Sequence, residues 1–336
     1  MGAGGMPGNM RTLVTGATGF LGTWITRALA AAGFQPTVLV RDPRRLAHLA
    51  DVHPRVVQGD VLQPESLQRA MAEVDAVIHV AGLVSLRNRD ERSLTEVNLT
   101  GTRNVLEAAA GRGLRVIHTS SIGTLGLTRE PVALDESAQG SARVHLRYPY
   151  VESKRQSEQL ALEYARRGHD VSVLLPGNVL GPGDVYCTST RLVRGYLEGR
   201  MRFYLRGGLS FADVRDVAMA YVVALEQARA GESYLLAGIN LSYRELLEHL
   251  GRLAQLPRAL PAPWPFAELS ALWSEYASLY WEHPFEELNS SVIQYGNLFN
   301  YCDCSKAARE LGFQNRPFEG TLRETIADLR SRPASA

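Results

Sequence analysis

Thr15-Gly16-Ala17-Thr18-Gly19-Phe20-Leu21-Gly22 follows a short apolar run and opens a helix-patterned stretch. Glycine at 16, 19 and 22 suits a strand that turns tightly, brings bare backbone close to a ligand, and packs against the next helix. The free N–H groups and positive dipole end of that helix attract a pyrophosphate. A single glycine turn is a weak sign of function. It gains weight because Tyr150-Val151-Glu152-Ser153-Lys154 stands further along the same chain.

Working outward from the turn, apolar runs of strand length and β-branched content fall at 13–14, 37–40, 55–57, 76–80, 115–117 and 171–175. Helical patterns at 23–32, 64–71, 93–110 and 151–167 lie between most of them. Repeated β-α units with nearly all-apolar strands predict an α/β fold, a doubly wound parallel sheet covered on both faces by helices. After Pro176 the rhythm breaks at Gly177, Gly181, Pro182 and Gly183. The 211–230 stretch and a strand at 232–237 read as a return to the main sheet. Residues 240–330 read as helical pieces punctuated by Pro257, Pro261, Pro263 and Pro265. The expected division is 10–180 plus about 211–238 as a dinucleotide-binding domain. About 181–210 plus 239–330 would form a smaller, mostly helical C-terminal substrate-binding lobe, with 1–9 a flexible leader.

Composition narrows the classes. The chain is 45% apolar and 21% charged with a net charge of +1, the profile of a soluble globular protein without a basic face for nucleic acid. Three cysteines make no disulfide framework, and Cys302-Asp303-Cys304 lacks a second Cys or His pair to complete a metal site. A reducing, cytoplasmic setting is expected. The leader lacks the apolar core of a secretory signal. The apolar stretch 269–281 is too short for a membrane span, which needs about 20 residues.

Tyr150 and Lys154 stand at i and i+4, so both side chains share one helix face. A phenol titrates near about 10 in model peptides, and a neighbouring ammonium favours its ionised form. A tuned tyrosine can exchange a proton with a substrate oxygen while hydride moves to or from a nicotinamide. Tyr148 lies off that face. Ser120 and Ser121 follow the strand at 115–117, where a hydroxyl could bond the reacting oxygen. No Gly-x-Ser-x-Gly elbow supports a serine hydrolase.

These features continue through Gly59-Asp60-Val61, His79-Val80-Ala81-Gly82, Val97-Asn98, His118-Thr119-Ser120-Ser121, Pro176-Gly177-Asn178-Val179 and Phe211-Ala212-Asp213. In order and spacing the chain resembles an extended short-chain dehydrogenase/reductase, with the layout of the dihydroflavonol reductase-like branch. The resemblance implies a Rossmann-type domain and a catalytic set of Ser121, Tyr150 and Lys154. It also implies cofactor contacts from Gly16, Thr18, Gly19, Phe20, Leu21, Gly22, Asp60, Val61, Val80, Ala81, Gly82, Asn98, Thr119, Tyr150, Lys154, Pro176, Gly177, Asn178 and Val179. A homodimer is the family expectation.

After the second strand the chain reads Arg41-Asp42-Pro43-Arg44-Arg45. An acidic residue here suits the ribose of NAD, whereas arginine suits the 2′-phosphate of NADP. Arg41 and Arg44 therefore favour NADP over NAD. Nucleotide-sugar members usually carry an arginine where this chain has Leu209 or Ser210, and dehydratases replace the Thr119-Ser120-Ser121 region. Both departures favour reduction of a ketone or aldehyde over redox-neutral epimerisation or dehydration, with a non-catalytic dinucleotide sensor third. A small-molecule substrate is expected near Val84, Ser85, Ser121, Tyr150, Asn178 and Tyr186. The aromatic density of 264–301 suits an apolar pocket or the core of the small lobe.

Overall fold

The computed structural model describes residues 10–85, 87–138, 148–263, 269, 272, 273, 276 and 290–332. The leader 1–9 lies outside the described residues. Strand β1 (Arg11–Thr15) feeds helix α1 (Phe20–Ala31), followed by β2 (Gln35–Val40), β3 (Arg55–Gln58), α2 (Pro64–Ala70) and β4 (Ala76–His79). Helix α3 (Glu91–Thr95) passes through a π-helical turn, Glu96–Thr100, into α4 (Gly101–Ala110). Then come β5 (Arg115–Thr119), β6 (Ala133–Leu134), α5 (Pro149–Arg166), β7 (Val171–Pro176), β8 (Asn178–Leu180) and α6 (Arg191–Leu197). The chain continues through β9 (Phe203–Tyr204), β10 (Gly208–Asp213), α7 (Val214–Gln227), β11 (Ser233–Leu236), β12 (Ile239–Ser242), α8 (Tyr243–Ala254) and β13 (Leu260–Pro261). Helix Ser290–Gly296, strand β14 (Phe299–Cys302) and helices Ser305–Leu311 and Phe318–Ser331 complete it.

Seven parallel strands in the order β11-β7-β5-β4-β1-β2-β3 make the main sheet. Successive side chains point to opposite faces, and both faces are apolar. Val14, Val38, Ile78 and Ile117 pack on one face under Ile25 and Leu29 of α1 and Val217 and Tyr221 of α7. Leu13, Leu39, Val77 and Val116 pack on the other under Leu67, Val105, Leu106 and Leu160. This is the doubly wound architecture. The strand order reverses between β1 and β4, so their carboxyl ends flank the crevice where such sheets bind ligands.

The second sheet corrects one expectation. β10 runs with β12, β14 and β8 in a five-stranded sheet, order β12-β10-β14-β6 with β8 on β10. Of the 211–230 stretch only α7 packs against the main sheet, while β11 does rejoin it. A separate core fills this region, with Leu209, Phe211 and Leu241 under Leu246, Leu250, Leu322 and Ile326. The two sheets meet at Gly177, where an added Cβ would lie 2.8 Å from Ala237 Cβ and 2.9 Å from Ser210 O.

The helix expected over 93–110 also differs, because it contains the π-turn. Asn98 within it is buried and bonds sideways to the chain after β4. Such turns frequently mark functional sites. Among the described residues, no helix is long and apolar enough to cross a membrane.

Candidate active site

The glycine turn leaves β1 at its carboxyl end. Gly16 has φ +76°, and a Cβ there would come within 2.6 Å of Ala81 N, so only glycine fits between the β1 turn and the segment after β4. Gly19 N donates to Gly16 O at 3.0 Å. No side chain caps α1 and its first turn holds no acid. The helix end is therefore bare and electropositive beside a backbone cradle, which is what a pyrophosphate requires.

Below the cradle a buried chain of contacts fixes the strand ends. Thr15 Oγ1 meets His79 Nδ1 at 2.7 Å, and His79 Nε2 meets Thr102 Oγ1 at 3.0 Å. Ala81 N donates to Thr15 Oγ1 at 3.3 Å. Burial pushes the His79 imidazole down to about 3, with the Lys154 charge adding to it. His118 stacks on His79 at 5.5 Å between ring centroids and is held well below its usual range by burial. Both rings are neutral spacers.

Asn98 donates to Leu83 O at 3.0 Å and Ser153 Oγ at 2.9 Å, and accepts from Leu83 N at 2.7 Å. Its carboxamide thus shapes the segment after Gly82. Asp60 accepts from Leu62 N at 3.0 Å, and Val61 is buried against Gly101. Val80 and Thr18 are partly buried, and Leu21 packs against the α1 core with Phe20. Asn178 Nδ2 donates to Ser210 O at 3.3 Å, while Val179 is buried. Pro176 ends β7 beside Gly177.

The arginines after β2 divide. Asp42 caps the next turn and takes the Arg44 guanidinium through both carboxylate oxygens, each at 2.9 Å. Arg45 Nε donates to Tyr186 OH at 2.9 Å, with its guanidinium 4.7 Å from the ring centroid. Among the described residues no side chain pairs with Arg41, whose carbonyl accepts from Gln58. Tyr186, expected near substrate, packs beside this loop.

Ser121, Tyr150 and Lys154 come together where β5 ends against α5. Pro149 suits the first turn of α5, since the N–H it lacks would have no helical partner. The Ser121 hydroxyl, which accepts from Gly123 N at 3.2 Å, lies beside the Tyr150 phenol. Burial holds that phenol above its ordinary value, and Ser121 pulls it back in part. The expected lowering by Lys154 is not seen. Lys154 Nζ donates to Thr119 O at 2.9 Å, and burial brings the ammonium down to about 8 against the opposing pull of Glu158. The Thr119 hydroxyl accepts from Tyr221 OH at 2.9 Å.

Sequence reasoning missed part of what surrounds this set. Tyr148 packs edge-on to Tyr150 at 6.4 Å and against Tyr295 at 5.9 Å, making an aromatic wall. Asn300 of β14 donates to Ile122 O at 3.3 Å and Gly126 O at 2.9 Å, bracing the turn that carries Ser121. Nothing local in the sequence signals Asn300. Val84 is exposed, while the Ser85 hydroxyl donates to Asp90 at 2.6 Å. Of the aromatics in 264–301, Trp264, Phe266, Tyr280, Trp281 and Phe285 lie outside the described residues. Trp273 and Tyr276 are exposed, and Tyr301 is buried beside Phe299. Leu209 and Ser210 lie buried in β10.

A glycine turn at a sheet's switch point, with a Ser, Tyr and Lys cluster at the neighbouring strand end, has the layout of an extended short-chain dehydrogenase/reductase. The chain belongs to the NAD dependent epimerase/dehydratase family, whose model matches residues 12–237. It is 31% identical over 321 residues to a Synechocystis sp. protein provisionally named dihydroflavonol 4-reductase, covering 94% of this chain and 92% of that one. Sterol demethylase protein B of Methylococcus capsulatus is 30% identical, with 96% and 99% covered. Cinnamoyl-CoA reductase 1 of Oryza sativa subsp. japonica is 36% identical, with 71% and 75% covered. Among solved structures, a nucleoside-diphosphate-sugar epimerase from Pseudomonas aeruginosa superposes with TM-score 0.78 at 27% identity, covering 96% and 98%. UDP-glucose 4-epimerase of Thermus thermophilus in complex with NAD shares the fold, with TM-score 0.73, 24% identity and 96% and 99% covered. Reductase relatives make the chain an NAD(P)-dependent oxidoreductase in broad class.

Proposed function

We propose that this protein uses NADP(H) to reduce a ketone or aldehyde of a small apolar or aromatic substrate, or to oxidise the corresponding alcohol. The observation that carries the reading is the placement of Ser121 at the carboxyl end of β5 beside α5, which brings Tyr150 and the buried Lys154 to the same place. The residues present fit a dinucleotide: the Gly16 cradle would be filled by any Cβ, and α1 offers an uncapped N-terminus. Gly16 to Gly22 would hold the pyrophosphate, and Arg41 would read a 2′-phosphate, favouring NADP over NAD. When bound, the reduced nicotinamide supplies the hydride for the carbonyl carbon.

The chain's own groups handle the oxygen. Ser121 and Tyr150 both donate toward it as negative charge develops. The raised phenol pKa keeps Tyr150 protonated at neutral pH, so it enters reduction as the acid and leaves its proton on the new hydroxyl. Lys154, charged below about 8 and anchored on Thr119 O, would donate to the nicotinamide ribose. The aromatic wall of Tyr148 and Tyr295 supports an apolar or planar substrate. The reductase and sterol-related names of the relatives agree with that chemistry.

The structural likeness to epimerases favours a second, redox-neutral reading. Leu209 and Ser210, buried in β10 where nucleotide-sugar members place an arginine, weigh against it. Tyr150→Phe separates binding from chemistry. It should retain NADPH binding by fluorescence and lose turnover by about 100- to 10,000-fold, the usual range for a general acid. Unimpaired turnover in that variant would sink the assignment.

A further inference from the structure

We propose that Glu158 is a positioning residue for this site: its buried carboxylate clamps the Ser121 turn onto helix α5 and stands as the counter-charge one helical turn from Lys154. The inference rests on the reductase reading only for its effect on turnover, because the hydrogen bonds and the placement of the charges are properties of the folded chain. Glu158 is 4% exposed, an unusual place for a carboxylate. One of its oxygens, Oε2, accepts from Ser120 Oγ at 2.5 Å and from Thr124 Oγ1 at 2.7 Å. These two donors bracket Ser121 within its turn, whose backbone is closed by Thr124 N donating to Ser121 O at 3.1 Å. Glu158 also stands one helical turn after Lys154 and two turns after Tyr150 on α5, so one face carries acid, ammonium and phenol.

A buried carboxylate without charge or hydrogen-bond compensation is costly, and a merely structural position here would be filled by an apolar side chain. The groups facing Lys154 can be named element by element. From β4 and β5 come His79 and His118, both neutral, and the Thr119 carbonyl; Tyr150 lies on α5 itself. Among the described residues Glu158 is the group that raises the Lys154 pKa, opposing its burial. Burial also pushes the Glu158 carboxyl up, while Ser120, Thr124 and Lys154 pull it back toward the charged form. Glu158 therefore links the two halves of the catalytic set. It holds the serine turn by hydrogen bonds and the lysine by charge.

The test compares Glu158→Gln, which keeps the shape and removes the charge, with Glu158→Asp, which keeps the charge and shortens the reach. The direct readout is an NMR titration of the Lys154 side chain in isotope-labelled protein without substrate, its signal assigned by loss in Lys154→Arg. With the carboxylate gone the ammonium is less favoured, so the midpoint in Glu158→Gln should fall by about one pH unit. Glu158→Asp should move it by less than half as much. If Glu158→Gln does not fold, Thr124→Ala, which removes one donor to the carboxylate, should shift the midpoint in the same direction. An unchanged midpoint overturns the proposal. In parallel, the pH profile of carbonyl reduction should lose its alkaline side at correspondingly lower pH in Glu158→Gln, with NADPH affinity within about two-fold. No carbonyl reduction by wild-type protein would instead count against the reductase reading, and the Lys154 midpoint would still decide the role of Glu158.

Discussion

The seven-stranded sheet and the smaller five-stranded sheet divide the labour differently. The first supplies the glycine cradle, Arg41, Ser121, Tyr150 and Lys154 from strand ends and the helices that follow them. The second supplies no group of the catalytic set, yet Asn300 of β14 braces the Ser121 turn, and Tyr295, just before β14, faces Tyr148. On the proposed function, cofactor and proton chemistry are built into the sheet with two large cores. On the same reading, substrate selection falls to the region whose Tyr295 borders the phenol through Tyr148.

That contrast can be broken from either side. The largest effect is expected from Gly16→Ala in the cradle. Its φ of +76° and the 2.6 Å approach of an added Cβ to Ala81 N leave no room for a methyl group. NADPH binding, followed by fluorescence, should become undetectable, and the melting temperature should fall; binding near the wild-type value would mean that the pyrophosphate lies elsewhere. Arg41→Ala should be milder and selective. NADPH affinity should weaken by about ten-fold while NADH affinity stays within about two-fold, since a charge-assisted contact to one phosphate is lost. Equal losses for both cofactors would remove the 2′-phosphate role.

The smallest effect on cofactor is expected from the second sheet. Asn300→Ala removes two donors from the Ser121 turn, so turnover and substrate KM should worsen by about ten-fold while NADPH affinity is unchanged. A loss confined to NADPH affinity would erase the division between the two regions.

The main sheet was legible because each of its strands carries a short apolar run, and β1 to β5 and β7 lie where those runs fall. The return of 211–230 to the main sheet holds for α7 and fails for the first residues of the stretch, which end β10. Gly208–Asp213 is as fully buried as a main-sheet strand, and α7 after it does pack on the main sheet. Burial alone cannot say which sheet a strand joins. The π-turn at Asn98 was hidden because its cause is a contact with Leu83 across a loop. Tyr150 and Lys154 were readable from an i, i+4 spacing, and Ser121 from its place after a strand. Glu158 was not, since a glutamate on an amphipathic helix normally faces water, and only the fold brings Ser120 and Thr124 onto it. The lysine's bond to Thr119 O, in place of direct help to the phenol, likewise depends on how β5 meets α5.

The central claim is that a hydride leaves the bound cofactor for a carbonyl carbon while Tyr150 supplies the proton. The most direct measurement is a single turnover with NADPH deuterated at its transferable position and a panel of apolar ketones and aldehydes. Wild-type protein should place the deuterium on the carbinol carbon of the product with one NADPH consumed per alcohol, and Tyr150→Phe should bind the cofactor without transferring it. Interconversion of a nucleotide sugar with no net NADPH consumption, and no deuterium in any alcohol product, would contradict the account.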